Sequence, residues 1–510
     1  MRPRTAISLR PARIASPRPL GYHRRTFLSN RQTPEDHAMS RCEISFRLTR
    51  RDALKTGAAA LALPALVPAC ALGLDNAAPA SETVRVGVIG CGGRARFISE
   101  ADDVKGFRVV ACSDLELPKA EQFAKELSKG AKWGVYTDFR EMIQKEKLDA
   151  VMVETPTHPR AWITIQAMQA GMDVYIEKPM CLTIAEGRAM VKAARRYGRV
   201  TQVGTQQRSM PINNWASDLV KNGVLGTKLT VLAPNFVGPE RWTKTSSKDV
   251  KGPVEPWWDA WTNQAELRPY DVQLHRGWAR WWDYDGGGLC FGVTGWGTHS
   301  YDQINRALGT DDTGPVEVLL EEPVAIRDTG RFTGRTTVGG VVIGDTGDID
   351  TGTDYHGMAK LRGPRAKVTM TFANGTTLKL HLDGDRGPGL GAIFVGEKGK
   401  IEINRNKLAS NPKELVRSPD NPGPNRRPES AYHVENWIQC IKSRKPCNAD
   451  IEIGQRATTL CYLVNIVRDV GRVGEPLKWD PAAERFTNCE EANKLLDRPR
   501  RKGYELPRLV

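Results

Sequence analysis

The stretch TVRVGVIGCGGRA (Thr83–Ala95) decides the fold of this chain. It begins as a β-branched run typical of a buried strand. It continues as a glycine turn that fits the pattern G-x-G-x-x-G/A at Gly90, Gly92 and Ala95. In this pattern the first glycine permits a tight turn, the second lets the backbone approach a pyrophosphate, and the small third residue lets a helix pack on the strand. The helix N-terminus that follows offers free N–H groups, so the stretch predicts a dinucleotide site.

Four more strand-like runs follow, interspersed with helix-length amphipathic stretches. The strand-like runs are FRVVACSD, LDAVMVET, DVYIEKP and RVTQVG, and the two clearest helical stretches are LPKAEQFAKELSKG and IAEGRAMVKAARRYG. Strands that alternate with helices favour right-handed βαβ units wound about one parallel sheet. The sequence therefore predicts an α/β protein whose first folded domain, residues 83–205, is a doubly wound Rossmann domain.

Asp114 strengthens the dinucleotide prediction. It ends the second strand, 24 residues after Gly90, where a carboxylate can accept both ribose hydroxyls of NAD and would repel the 2′-phosphate of NADP. NAD is the predicted cofactor, and Arg94 and Arg96 close to the turn leave NADP open.

Two later loops leave the carboxyl ends of strands, where open α/β sheets bind their ligands. The first is ETPTHP, with Thr155, Pro156 and His158. The second is EKPM, in which Glu177 and Lys178 end a buried strand and a proline restricts the backbone after the lysine. Both loops are predicted to line the cofactor site.

Composition limits the possible functions. The 510 residues are 40% hydrophobic and 26% charged, which is typical of a globular protein of two or three domains. About half of the net charge of +15 lies in the first 82 residues, and the remainder mixes both signs. Without a basic tract interleaved with aromatic residues, nucleic-acid binding is not expected. The cysteines are widely spread, without C-x-x-C or zinc spacing, so buried thiols are expected and no metal site is predicted.

The first 82 residues resemble an export signal. Residues 1–38 are an arginine- and proline-rich extension that precedes Met39, a possible start of translation. Within 39–82, LTRRDALKTG (Leu48–Gly57) leads into a weakly apolar run of alanines and leucines, which resembles a twin-arginine signal followed by a linker. We therefore expect export to the periplasm, without a stable membrane span after cleavage. An uncleaved anchor and a lipoprotein acylated at Cys70 are the alternatives.

The motifs together resemble the Gfo/Idh/MocA family of NAD(P)-dependent oxidoreductases from about Val84 to the C-terminus. The segments that carry the resemblance are GVIGCGG, SD at 113–114, ETPTHP, GMDVYIEKPM, VGTQQRS and GTHSYD, with the C-terminal AYHVENWIQCIKSRKPCNADIEIG. The resemblance implies that residues 206–510 form an α/β domain with a large, open, mostly antiparallel sheet that often makes a dimer or tetramer interface. It also implies that Gly93 and Gln206 join the cofactor contacts.

The same resemblance implies oxidation of a secondary alcohol of a sugar or cyclic polyol, with Lys178 and His299 facing the substrate. Histidine suits the role of base because its ordinary pKa lies near neutral pH, and Lys178 is then expected to orient and stabilise the alkoxide. Asp302 matches a further family position. Many relatives carry an aspartate four residues before this histidine, where the present chain has Gly295, and Gln455 stands where close relatives often have histidine.

Two other functions stay open at this point. An NAD-assisted glycosidase would oxidise its sugar transiently, allow elimination and then reduce the product. A catalytically impaired sugar- or cofactor-binding protein would agree with the loss of the aspartate at position 295. The tryptophans of PWWDAW and RGWARWWDYDGGG are either a platform for a sugar or plain core.

Overall fold

The computed structural model describes residues 82–101, 104–327, 336–338, 341–343, 362–383 and 388–509. The predicted signal segment therefore lies outside the described residues, apart from Glu82. Among the described residues, every helix is too short or too polar to serve as a membrane span.

A six-stranded parallel sheet forms the first half of the structure, in the order β3-β2-β1-β4-β5-β6. Its strands are β1 (Val84–Ile89), β2 (Phe107–Ser113), β3 (Gly134–Tyr136), β4 (Ala150–Val153), β5 (Asp173–Ile176) and β6 (Thr201–Val203). The connecting helices are α1 (Gly93–Ser99), α2 (Leu117–Leu127), α3 (Phe139–Lys145), α4 (Arg160–Gln169) and α5 (Ile184–Tyr197). The order reverses between β1 and β4, the switch point at which such sheets open a crevice. The predicted doubly wound sheet is confirmed.

A nine-stranded sheet forms the second half, in the order β17-β16-β15-β7-β14-β13-β8-β18-β19. It is antiparallel except where β7 runs parallel to β14. Two further pairs of strands, β9–β12 and β10–β11, lie outside this sheet. The strands of the second half are β7 (Thr230–Pro234), β8 (Glu317–Leu320), β9 (Ala325–Arg327), β10 (Thr336–Val338), β11 (Val341–Ile343), β12 (Gly363–Arg365), β13 (Val368–Thr371), β14 (Thr377–Leu382), β15 (Ala392–Gly396), β16 (Gly399–Asn404), β17 (Lys407–Asn411), β18 (Leu477–Asp480) and β19 (Arg485–Phe486). The predicted large, mostly antiparallel sheet is confirmed.

Some helices of the second half pack on the nine-stranded sheet, and one packs on the parallel sheet. The helices of this half are α6 (Pro211–Lys221), α7 (Pro256–Thr262), α8 (Val272–Arg276), α9 (Trp296–Leu308), α10 (Glu429–Ser443), α11 (Ile451–Val470) and α12 (Glu490–Asn493). Buried side chains of α9 and α11 form one apolar core with the nine strands. This packing fixes α9, and with it the predicted catalytic histidine in its first turn.

Helix α10 packs on the parallel sheet although the chain reaches it more than 220 residues after β6. Trp437 is fully buried and meets Tyr175 of β5 with ring centroids 5.7 Å apart. Val434, Ile438 and Ile441 share the apolar cluster of β1 and β2. A helix from late in the chain thus contributes to the apolar core of the first sheet.

The cysteines in the described ranges are free thiols. Seven are buried and Cys290 is half-buried, which agrees with the expectation of small buried thiols.

Replacing Trp437 tests how much α10 contributes to the parallel sheet. Trp437→Ala leaves a cavity against Tyr175 and is expected to lower the free energy of unfolding by about 3–5 kcal/mol, measured from urea unfolding curves. Gln439→Ala, on the exposed side of the same helix, is the control and should change it by less than about 0.5 kcal/mol. Equal effects of the two substitutions would contradict the packing role.

Candidate active site

The glycine turn after β1 is shaped by a close approach to the loop after β4. Gly90 has a φ of +93°, and a Cβ there would come within 2.9 Å of the Glu154 backbone, so only glycine fits. At Gly92 and Gly93 a Cβ would meet nothing within 4 Å. The turn thus leaves backbone facing open space at the start of α1, as a bound pyrophosphate requires.

Asp114 lies directly beside this turn. Its Oδ2 accepts a hydrogen bond from the Cys91 N–H at 2.9 Å and lies 3.0 Å from the Lys119 ammonium, while Oδ1 accepts from the Glu116 N–H at 3.1 Å. These contacts hold the carboxylate next to the turn, where the ribose of a dinucleotide is expected. Lys119 was not found by the sequence analysis, because only the fold of α2 brings it back to Asp114.

Glu177, at the end of β5, joins the second predicted loop to the glycine turn. Its Oε1 accepts hydrogen bonds from Arg94 Nε at 2.6 Å and from Gln206 Nε2 at 3.3 Å, and its Oε2 accepts from the Lys178 N–H. Burial raises the pKa of Glu177, but the charges of Arg94 and Lys178 outweigh burial and lower it. Glu177 is therefore a buried carboxylate that stays ionised.

Glu154, which the sequence analysis did not select, is a second buried carboxyl group beside the same turn. It is 8% exposed, and neither of its oxygens has a hydrogen-bond partner in the described part of the chain. Burial raises its pKa to about 8, and the nearby charge of Glu177 adds to the rise. Glu154 is thus mainly protonated at neutral pH. A charged residue directly after the apolar run AVMV was the available signal.

Lys178 points from the end of β5 to the start of α9. Its Nζ donates a hydrogen bond to the Gly295 carbonyl at 2.9 Å. Burial lowers the pKa of Lys178, while the Glu177 charge opposes this shift. The ammonium group is therefore held at the junction of the two halves, and its pKa is lower than that of an exposed lysine.

His299 lies in the first turn of α9 and is 5% exposed. Its Nδ1 is buried without a hydrogen-bond partner among the described residues. Burial lowers its pKa well below the usual value, and the charges of Arg405 and Lys178 act in the same direction. The imidazole is therefore neutral at physiological pH.

No carboxylate can stand at position 295 in this backbone. A Cβ at Gly295 would overlap the carbonyl oxygen of Leu289 and come within 2.8 Å of that of Gly288. The glycine loop that precedes α9 has taken the space, and the Gly295 carbonyl now faces Lys178. The departure from the family pattern therefore belongs to the whole loop and not to one side chain.

Asp302 corrects a prediction, because it is a structural partner and not a partner of His299. It is fully buried, and its Oδ1 accepts from Arg208 Nε at 2.7 Å. Arg208 also binds Asp311. Gln455 is buried as well, and its Nε2 donates to the Ile184 carbonyl at 3.0 Å. Both side chains are held by structural contacts away from the role that the sequence suggested.

His158 also differs from the prediction of a cofactor contact. Its Nε2 donates to the Trp261 carbonyl at 2.6 Å, and its fully buried ring packs against Trp261 and Tyr284 with centroids 4.9 and 4.8 Å away. Burial lowers the pKa of His158 to about 3. It is a neutral core histidine that fastens the loop after β4 to the second half.

Of the remaining predicted residues, two lie beside the glycine turn and one contacts Glu177. Thr155 and Pro156 are half-buried beside the glycine turn. Gln206 is fully buried and donates to the Tyr175 hydroxyl at 2.7 Å as well as to Glu177. Gln206 therefore helps to hold the Glu177 carboxylate in place by a hydrogen bond.

The tryptophan-rich segment, residues 242–284, is built around a buried aromatic cluster, with the remaining tryptophans half-buried around it. Trp258 and Trp261 stack on each other at 4.8 Å, inside an apolar cluster that also includes Leu115. Arg276 binds Glu116 at 2.8 Å. The segment thus covers the residues that follow Asp114 and borders the cofactor crevice.

Comparison with known proteins identifies the family. Residues 84–205 match a model described as an oxidoreductase family with an NAD-binding Rossmann fold. Residues 211–355 and 349–506 match the C-terminal alpha/beta domain of the same oxidoreductase family. The chain belongs to the Gfo/Idh/MocA family. The family resemblance and the prediction of an NAD-binding Rossmann domain are both confirmed.

Individual relatives are distant. The chain is 30% identical over 145 residues to scyllo-inositol 2-dehydrogenase (NAD(+)) of Bacillus subtilis, covering 28% of this chain and 42% of that protein. It is 26% identical over 226 residues to glycosyl hydrolase family 109 protein 1 of a Shewanella species, covering 41% and 47%. The chain thus spans less than half the length of either relative. The fold matches the crystal structure of the WlbA dehydrogenase of Bordetella pertussis in complex with NADH and UDP-GlcNAcA, with a TM-score of 0.51, 16% identity, and 78% and 99% coverage.

Glu154 gives the stability of the protein a specific pH dependence. A carboxyl group whose pKa is raised on folding stabilises the folded state below its unfolded pKa, and this contribution is lost as pH rises towards the folded pKa. The thermal unfolding temperature of the wild type, measured relative to that of Glu154→Gln, should therefore decrease as the pH rises from about 4.5 to about 8. Glu121→Gln, on the exposed side of α2, should follow the wild type. A constant difference across this range would contradict the raised pKa.

Asp114→Ala should weaken NADH binding. Loss of a charged hydrogen-bonding group costs about 1.5–3 kcal/mol, which corresponds to a rise in Kd of roughly 10- to 100-fold. Titration of protein or nucleotide fluorescence measures the affinity. Asp138→Ala, which removes an N-cap from α3, is the control and should leave Kd unchanged. Unchanged affinity in Asp114→Ala would overturn the ribose assignment.

Proposed function

We propose that the protein transfers a hydride between NAD(H) and a secondary alcohol of a sugar or cyclic polyol. The observation that carries this proposal is the 2.9 Å hydrogen bond from Lys178 Nζ to the Gly295 carbonyl. It brings an ammonium with a lowered pKa to the helix turn that holds the neutral His299. The inositol dehydrogenase among the relatives supports the substrate class.

The residues that would hold NAD are those of the glycine turn and Asp114, because the turn exposes backbone to open space and the carboxylate is fixed beside it. NAD supplies the carbon that accepts the hydride. The protein has to orient the alcohol, exclude water and take the hydroxyl proton. Lys178 and His299 are the side chains proposed for these tasks.

The proton assignment differs from the expectation for the sequence. An imidazole whose pKa is well below its usual value is a weak proton acceptor, since burial and two nearby cations destabilise its charged form. Burial lowers the pKa of Lys178, and a lower pKa makes the neutral, proton-accepting amine easier to form near neutral pH. We therefore assign the hydroxyl proton to the neutral amine of Lys178, which becomes an ammonium as the hydride leaves, and give His299 the task of orienting the alcohol by a hydrogen bond.

A second candidate is a glycosidase that oxidises its sugar transiently on bound NAD. It is favoured by the match to a family 109 glycosyl hydrolase, which extends over 226 residues against 145 for the inositol dehydrogenase. The same cofactor residues and the same Lys178 would serve this reaction, with no net change in NAD.

Export and assembly are also part of this proposal. Arg50 and Arg51, followed by the weakly apolar run, support twin-arginine export. The open nine-stranded sheet supports a homodimer or homotetramer. Cell fractionation and light scattering test these two points.

A substrate panel tests the proposal. Purified protein with NAD should produce NADH with at least one inositol, hexose or glucoside. Lys178→Ala should reduce turnover by at least about a thousandfold, in the range seen when a general base is removed, while NADH affinity stays within about tenfold. Lys192→Ala, on the exposed side of α5, is the matched control and should retain full turnover.

The outcomes separate the candidates. NADH formation with a polyol or sugar supports the dehydrogenase. Release of a chromogenic aglycone without net NADH supports the glycosidase. Binding of NADH without either reaction would leave a binding protein, and loss of NADH affinity together with turnover in Lys178→Ala would contradict the role given to Lys178.

A further inference from the structure

Asp285 is a buried carboxylate that the proposed mechanism does not use. It is completely inaccessible to solvent and lies just before the glycine loop that leads into α9. Its Oδ2 accepts a hydrogen bond from the Thr157 hydroxyl and its Oδ1 accepts one from the Thr294 hydroxyl. Because both oxygens accept, the group needs no proton of its own to satisfy these contacts.

The two threonines connect Asp285 to both sides of Lys178. Thr294 directly precedes Gly295, whose carbonyl accepts the hydrogen bond from Lys178 Nζ at 2.9 Å. Thr157 belongs to the loop after β4, where Arg160 Nη1 donates to its hydroxyl at 3.3 Å. Asp285 thus fastens the backbone that receives the lysine to the edge of the parallel sheet.

The charges around Asp285 favour its ionised form. Burial raises the pKa of Asp285 above its ordinary value, although the two threonine hydroxyls and the charges of Arg160 and Lys178 favour the ionised form and oppose that rise. Tyr462 and Cys461, the other titratable groups that face it, have pKa values raised by burial and are neutral. The carboxylate in turn favours the charged form of Lys178.

The pKa of Lys178 is set by burial and by neighbouring charges that act in opposite directions. Burial, Arg94 and Arg160 disfavour its proton, whereas Glu177 and Asp285 favour it. Glu177 comes from the same strand end as the lysine. Asp285 comes from the second half of the chain, which also supplies the carbonyl that binds the ammonium.

The other carboxylates of this region have other partners. Asp302 binds Arg208, and Asp283 lies 3.2 Å from Arg268 Nη1. Position 295 has no room for a side chain. Asp285 is therefore the carboxylate that this loop offers to the lysine.

We propose that Asp285 is a positioning residue that fixes the Gly295 carbonyl against Lys178 and places its carboxylate near that lysine. The importance of this arrangement for turnover rests on the proposed function. The arrangement itself is testable without substrate or cofactor.

The test measures the protonation of Lys178 directly. The full chain is treated with brief pulses of acetic anhydride over a range of pH, and mass spectrometry of the peptide that contains Lys178 gives its rate of acetylation. Only the neutral amine reacts, so the midpoint of the rate reports the pKa. Asp285→Asn keeps the shape of the side chain and removes its charge.

Removing a negative neighbour disfavours the ammonium, so the midpoint for Lys178 should fall by about one pH unit in Asp285→Asn. Well below the midpoint, acetylation should be about tenfold faster than in the wild type. Asp283→Asn is the matched control and should leave the midpoint in place. An unchanged midpoint in folded Asp285→Asn would overturn the proposal.

A second pair of variants tests the same contact in case Asp285→Asn does not fold. Thr294→Val deletes one hydroxyl donor to Asp285 and should lower the Lys178 midpoint in the same direction by a smaller amount. Thr298→Val removes an equally buried hydroxyl that donates to the Thr294 carbonyl and not to Asp285, and should not lower it. Identical midpoints in these two variants would contradict the proposal.

The pH profile of turnover adds a readout that a purely structural role would not move. Once a substrate is found, the limb of kcat/KM that reports Lys178 should move to lower pH in Asp285→Asn by the same amount as the acetylation midpoint. A shifted midpoint without oxidation of any sugar would reject the proposed function alone. Sugar oxidation with an unshifted midpoint would reject the role of Asp285 alone.

Discussion

The buried carboxylate of Glu177 is the interaction on which the site depends. A charge removed from water is stable only if cations and hydrogen-bond donors surround it. Arg94 comes from the glycine turn, Gln206 follows the last parallel strand, and the backbone N–H of Lys178 supplies a third donor. The same carboxylate therefore fixes three parts of the crevice at once.

Much of this arrangement was predictable, because it depends on local patterns. The strand runs, the glycine turn and the position of Asp114 follow from periodicity and spacing along a short stretch of chain. The pair of Glu177 and Lys178 was found because it ends a buried strand at the edge where open α/β sheets bind ligands. The mostly antiparallel second sheet was expected from the family resemblance and not from local patterns alone; it includes the hairpin at Gly375, whose φ is +80°.

What could not be predicted is which distant partner each polar side chain takes. Asp302 lies one helical turn from His299 in the sequence, yet it binds Arg208, 94 residues earlier. His158 sits in a loop at the ligand edge but turns into the aromatic cluster of residues 242–284. Asp285 reaches Thr157 across 128 residues. Such pairs are set by tertiary packing, and no local pattern records them.

The position of α10 has a consequence for synthesis. The ribosome completes all six parallel strands by residue 203, whereas α10, which completes the apolar cluster on one face of them, begins only at Glu429. While the intervening residues are made, the part of that face that α10 covers is exposed, and the nascent sheet is open to wrong contacts or to capture by a chaperone. A chain cut short before this helix would lack its own lid for the sheet, however complete its nucleotide-binding sequence.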